Sequence, residues 1–129
     1  AESAANTDFI AAWKAFAGED RVTNDPMEAH YIGFNMWAKA VKKAGTTDSE
    51  AVSEAIIGVT TANLSGGFSA MMPNHHITKP VLIGEIQDDG QFDIVHSTTG
   101  LVAGDAWSDY LPGSKNLVAH WGTSQPMNP

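Results

Sequence analysis

Apolar residues recur at three- and four-residue spacing in three stretches of the chain, and each stretch predicts a helix. The first runs from about Thr7 to Ala17, where Phe9, Ile10, Trp13, Phe16 and Ala17 share a face. Asn6 or Thr7 can cap it and Gly18 stops it. Two phenylalanines and a tryptophan on so short a helix demand a large partner surface. The second stretch, Asp25–Ala44, is the clearest element. Asp25-Pro26-Met27-Glu28 reads as an N-cap, a proline at the first helical position and a capping-box glutamate. Ala29, Ile32, Met36, Trp37, Ala40, Val41 and Ala44 form a wide apolar stripe, Lys39, Lys42 and Lys43 sit where the helix dipole favours cations, and Gly45 ends the run. Tyr31 and Phe34 lie off that stripe, which predicts burial on more than one side. A third, shorter helix follows Thr47, with Glu50 completing a capping box, Val52, Ala55 and Ile56 facing inward, and Gly58 as terminator.

Between Val59 and Thr78 the periodicity dissolves into Asn, Ser, Gly, Pro and His, which predicts a long irregular connection of the kind that often carries function. Val81–Gln87 and Phe92–Ser97 then read as strands joined by Asp88-Asp89-Gly90, a strong hairpin signal. Alternation in the second run places Phe92, Ile94 and His96 on one face and Asp93 and Val95 on the other. A Gly- and Pro-containing loop leads to a short helix near Ser114–Trp121 and a polar tail over 122–129. Three helices and one hairpin make a poor closed core, since a lone two-stranded ribbon is marginal in water. Trp13, Trp37, Trp107 and Trp121 also need burial. The pieces are expected to pack onto a larger sheet.

Composition narrows the function classes. The 129 residues fit one domain, and 43% hydrophobic against 17% charged residues supports a real core. A formal charge of −8 repels a phosphate backbone, which removes a broad nucleic-acid role. With no cysteine, disulfides, thiolate metal sites and cysteine nucleophiles all fall away. The first six residues lack the basic and apolar regions of a signal peptide, so the chain is cytosolic, already processed, or cut from something longer.

Catalytic chemistry is not visible in the residues. His75 and His76 are adjacent and point apart in extended backbone, a poor geometry for joint chelation. His30 could join one of them with Glu28 or Asp25, but the short two-His spacing usual for zinc is missing. Backbone hydrogen bonding is the simpler role for these loop histidines. There is no Gly-x-Ser-x-Gly elbow, and Gly66-Gly67 lacks the spacing of a P-loop or dinucleotide fingerprint, so no cofactor is expected. The start of the second helix is the better candidate. Its free N–H groups favour a polar or anionic partner, either consumed by Asp25 as a cap or shared between cap and ligand wall.

Several long segments resemble, in order, the urea-type solute-binding proteins of ABC transporters. They are Val22-Thr23-Asn24-Asp25-Pro26-Met27-Glu28-Ala29-His30-Tyr31-Ile32-Gly33-Phe34, then Gly66-Gly67-Phe68-Ser69-Ala70-Met71-Met72-Pro73-Asn74-His75-His76-Ile77-Thr78-Lys79-Pro80, the hairpin, and Gly104-Asp105-Ala106-Trp107-Ser108-Asp109-Tyr110-Leu111-Pro112. The Asn-His-His loop also resembles that of a short-chain amide sensor. The likeness runs from about Asn6 to Trp121. It implies an α/β chain, the C-terminal portion (1–121) of a type I periplasmic-binding-protein fold, with three main helices, a β-hairpin and a short C-terminal helix. In that family two lobes close over a small solute without chemistry, so the resemblance implies a binding protein rather than an enzyme. It further implies an extracytoplasmic, periplasmic location for the full-length parent and an ABC permease in the membrane as partner. By position it places Asp25, Met27, Glu28 and Tyr31 near a urea or short-amide solute, while Asn74, His75 and His76 match the motif as loop-fixing residues. The alternative is a cytoplasmic amide-sensing regulator of the same fold. Surfaces shaped for an absent sheet are expected to drive homo-oligomerisation.

Overall fold

The longest helix packs against the short helix and the first short strand that follow it in the chain. In the computed structural model, which describes residues 2–116, the order is α1 (Ala4–Ala17), α2 (Asp25–Ala44), α3 (Ser49–Ile56), β1 (Thr60–Ala62), β2 (Phe68–Ala70), β3 (Leu82–Ile86), β4 (Phe92–Ser97) and a 3-10 turn (Ser114–Asn116). The architecture is α/β, with helices beside two separate antiparallel strand pairs, β1–β2 and β3–β4.

Ile32, Met36 and Ala40 repeat every fourth residue along α2 and are fully buried, so one narrow stripe of this helix is the core. Val52 of α3 and Leu64, after β1, are also buried. The broader burial expected for α2 is not seen: Tyr31, Phe34 and Trp37 remain substantially exposed. Trp107 is likewise half exposed, and Trp121 lies outside the described residues. Lysines at the end of α2 do more than meet the dipole. Lys39 Nζ donates to the Thr60 carbonyl at 2.7 Å, and Lys43 Nζ donates to the Ala55 carbonyl at 2.9 Å, one of the orphan carbonyls ending α3.

The helix starts shift from the sequence reading. Ser3, not Asn6 or Thr7, caps α1, its Oγ accepting from Asn6 N–H at 3.0 Å. Asn24, not Asp25, caps α2 through Met27 N–H at 3.1 Å, because Asn24 is the residue in extended backbone. Asp25 therefore opens the helix, and Glu28 is released from any capping box. Asp48 rather than Thr47 caps α3, which ends at Ile56, before Gly58 turns at φ 77°. Gly18 and Gly45 stop α1 and α2 as expected.

Two elements differ more. The segment read as irregular contains the β1–β2 pair, whose three-residue strands are too short to display alternation. In the β3–β4 hairpin, Ile83 pairs with His96 and Gly84 with Ile94, so Val95 is an extra, bulged residue. The bulge moves His96 off the face of Phe92 and Ile94 and onto that of Asp93. Of the short helix expected near Ser114–Trp121, only the 3-10 turn falls within the described residues.

Candidate functional site

Releasing Glu28 from capping gives it a different task. Its Oε1 accepts from the Leu64 backbone N–H at 2.8 Å and from Ser65 Oγ at 3.4 Å, while its Oε2 accepts from Lys79 Nζ at 2.7 Å. Lys79 also donates to Asp25 Oδ1 at 2.6 Å. The Lys79 and Glu28 side chains are 18% and 13% exposed, whereas Asp25 is 79% exposed. One ammonium thus joins a sheltered carboxylate to a solvated one across the head of α2. Burial by itself lowers the Lys79 pKa, but the hydrogen bonds and charges of Asp25 and Glu28 outweigh it, and the net pKa is raised.

Leu64 is gripped from its other side as well, its carbonyl accepting from Ser3 Oγ at 2.5 Å. The loop between β1 and β2 is closed by Asn63, whose Oδ1 accepts from Ser65 and Gly67 N–H and whose amide donates to the buried Ser69 hydroxyl. Lys79 itself is fixed by backbone pairing with Val102. The clamp therefore ties the starts of α1 and α2, the β1–β2 loop and the approach to β3 into one knot.

Beside the clamp, α1 and α2 leave an open groove of about 610 Å³, walled almost wholly by apolar atoms of Phe9, Trp13, Pro26, Met27, Tyr31 and Phe34. Phe9 and Tyr31 pack with their rings tilted by 52° and centroids 5.0 Å apart. Trp13 Nε1 is buried there without a hydrogen-bond partner.

The four residues expected at the solute fall into two pairs. Asp25 and Glu28, three apart, meet at the clamp; Met27 and Tyr31, four apart, line the groove. The helix brings the pairs side by side but not into one pocket. The residue missed by sequence reasoning is Lys79.

The histidine loop is held by its own contacts. His75, at φ 60°, bonds the Ser53 carbonyl through Nε2, and His76 Nδ1 bonds the Asn74 carbonyl, each at 3.1 Å. Asn74 reaches the Gly104 carbonyl at 3.0 Å, and a Cβ at Gly104 would collide with that of His76. His30 lies instead at the α1–α2 groove. Among the described residues no group of three or more His, Asp or Glu is arranged to hold a metal, and no helix is long and apolar enough to cross a membrane.

Comparison with known proteins adds two findings. The family model described as a periplasmic binding protein domain matches residues 1–113. A protein named limonene hydroxylase, from Geobacillus stearothermophilus, is 32% identical over 93 residues, covering 72% of this chain and 17% of that protein. The chain thus spans a small part of that relative's length.

Proposed function

Because the chain belongs to the periplasmic binding protein domain family, we propose that it binds a small polar solute, urea or a short-chain amide, for an ABC importer. In this reading Asp25, Met27, Glu28 and Tyr31 form one wall of the solute cleft. The supporting observation is the clamp. It holds an exposed Asp25 carboxylate at the head of the same helix that walls the apolar groove, with Lys79 fixing its position. A solute rich in N–H groups must have its water hydrogen bonds replaced, and a positioned carboxylate is the acceptor for that. Glu28, most of whose acceptor capacity is engaged, supports Asp25; Met27 and Tyr31 cover the solute from the groove side. Binding is capture without bond making, in a periplasmic protein whose partner is a membrane permease and whose opposite cleft wall comes from a further lobe.

Isothermal titration with urea and with acetamide tests this. Saturable heat that is lost in Asp25→Asn, a substitution at an exposed position that spares the core, supports the reading. Binding undiminished in both Asp25→Asn and Glu28→Ala sinks it. A second reading, an amide-responsive cytoplasmic regulator, draws on the Asn74-His75-His76 loop. An export signal on the full gene decides between the two.

A further inference from the structure

The aromatic residues of α1 are Phe9, Trp13 and Phe16, a spacing of four and three that puts them on one face of the helix. No residue of α1 is buried, and Phe16 is 86% exposed. A second hollow, of about 600 Å³, opens beside that face. It shares Phe9, Trp13 and Tyr31 with the apolar groove and adds Phe16, Asp8 and Asn35. Two ring pairs stand in its wall: Phe9 with Tyr31, and Trp13 with Phe16, whose centroids are 6.2 Å apart.

The electrostatics of this lining favour a cation. The face of an aromatic ring is negative and its edge positive. Trp13 keeps its Nε1–H, the polar part of the indole edge, buried. Asn35 donates an amide N–H to the Tyr31 carbonyl at 2.7 Å and keeps its oxygen as an acceptor. Asp8 is the one charged residue in the lining. Lys39 stands behind the strand wall, its Nζ tied to the Thr60 carbonyl at 2.7 Å and to Thr61 Oγ1 at 3.3 Å, so the α1 side is the one that suits positive charge. The formal charge of −8 draws small cations towards the surface as a whole.

We propose that this hollow is a second ligand site, taking a small quaternary ammonium cation against the rings of Phe9, Trp13, Phe16 and Tyr31, with the Asp8 carboxylate as counter-ion. A quaternary nitrogen donates no hydrogen bond, and ring faces attract it without needing one. Of the four residues assigned to the polar solute, only Tyr31 lines this hollow. The two sites therefore stand or fall separately.

Isothermal titration of the whole chain with choline chloride, at an ionic strength held constant with sodium chloride, tests the proposal. Saturable binding is expected, weaker by about tenfold or more for dimethylbutanol, in which carbon replaces the ammonium nitrogen. Phe16→Leu and Asp8→Asn, both at exposed positions outside the clamp, should each weaken choline binding about two- to fivefold. Asp25→Asn at the clamp and Glu50→Gln on α3 should leave it unchanged. No saturable binding of choline, equal affinity for the alcohol, or indifference to either Phe16→Leu or Asp8→Asn overturns the proposal. So does an equal loss in Glu50→Gln, which would mark diffuse attraction to an acidic chain. Choline bound by a chain that ignores urea and acetamide would sink the solute reading and leave this site standing.

Discussion

Replacing Lys79 with methionine keeps the aliphatic stem and removes the charge that joins Asp25 to Glu28. Two bonds are lost, and their surroundings make them unequal. The partner Asp25 is 79% exposed, so its share is that of a surface ion pair, under about 1 kcal/mol. The Glu28 bond joins two mostly sheltered groups, where a charged hydrogen bond contributes about 1.5–3 kcal/mol. Lys79→Met should therefore lower the unfolding free energy by about 2–3 kcal/mol, and Asp25→Asn by less than about 1 kcal/mol. Urea is unsuitable as denaturant for a proposed urea binder, so guanidinium melts are the assay. The pH dependence supplies a second check. Lys79 has a folded-state pKa above its ordinary value. Its contribution is then fully present below the unfolded pKa and is lost as pH rises through the folded one. The gap between the wild-type chain and Lys79→Met should stay constant through neutral pH and narrow only in the alkaline range above ordinary lysine titration. A Lys79→Met chain as stable as wild type, or an Asp25→Asn loss equal to that of Lys79→Met, would refute the assignment of the sheltered pair as the main tie.

Trp13→Phe removes the buried Nε1–H that has no partner. The relief of that unpaired donor should offset the smaller ring, leaving thermal stability within about 1 kcal/mol of wild type; a loss of several kcal/mol would show that the donor is satisfied. Gly104→Ala sets a methyl group against His76 Cβ and the Ile77 carbonyl. It should destabilise by about 1–3 kcal/mol and shift the His76 ring resonances; unchanged histidine spectra would contradict the close approach.

How much of this was legible depended on the length of each pattern. The twenty residues of α2 carry Ile32, Met36 and Ala40 at helical spacing with Gly45 behind them, and its extent reads directly from the chain. The three-residue strands β1 and β2 hold too few positions to alternate, and the buried Asn63–Ser69 bond beside their pairing is not reported by local spacing. The Val95 bulge was invisible for a related reason: a regular alternation rule assigns His96 to a face that one inserted residue reverses. Asn24 and Asp25 are both good caps, and only the backbone angles choose between them. Lys79 was the largest omission at the site. A signal existed in the chain, for it is the one lysine or arginine between Lys43 and Lys115 in a strongly acidic sequence. Its carboxylate partners, however, stand more than fifty positions away. The helical pattern calls for burial of Phe34 and Trp37, and both stay substantially exposed in the described residues.

The most direct test of solute binding is a two-dimensional amide NMR spectrum of the chain, titrated with urea at non-denaturing concentration. Saturable shifts confined to the amides of Asp25–Tyr31 and to those around Lys79 are the expected result. Shifts that grow linearly and evenly across the spectrum, or a dispersed spectrum that ignores urea, would contradict a solute site at the head of α2.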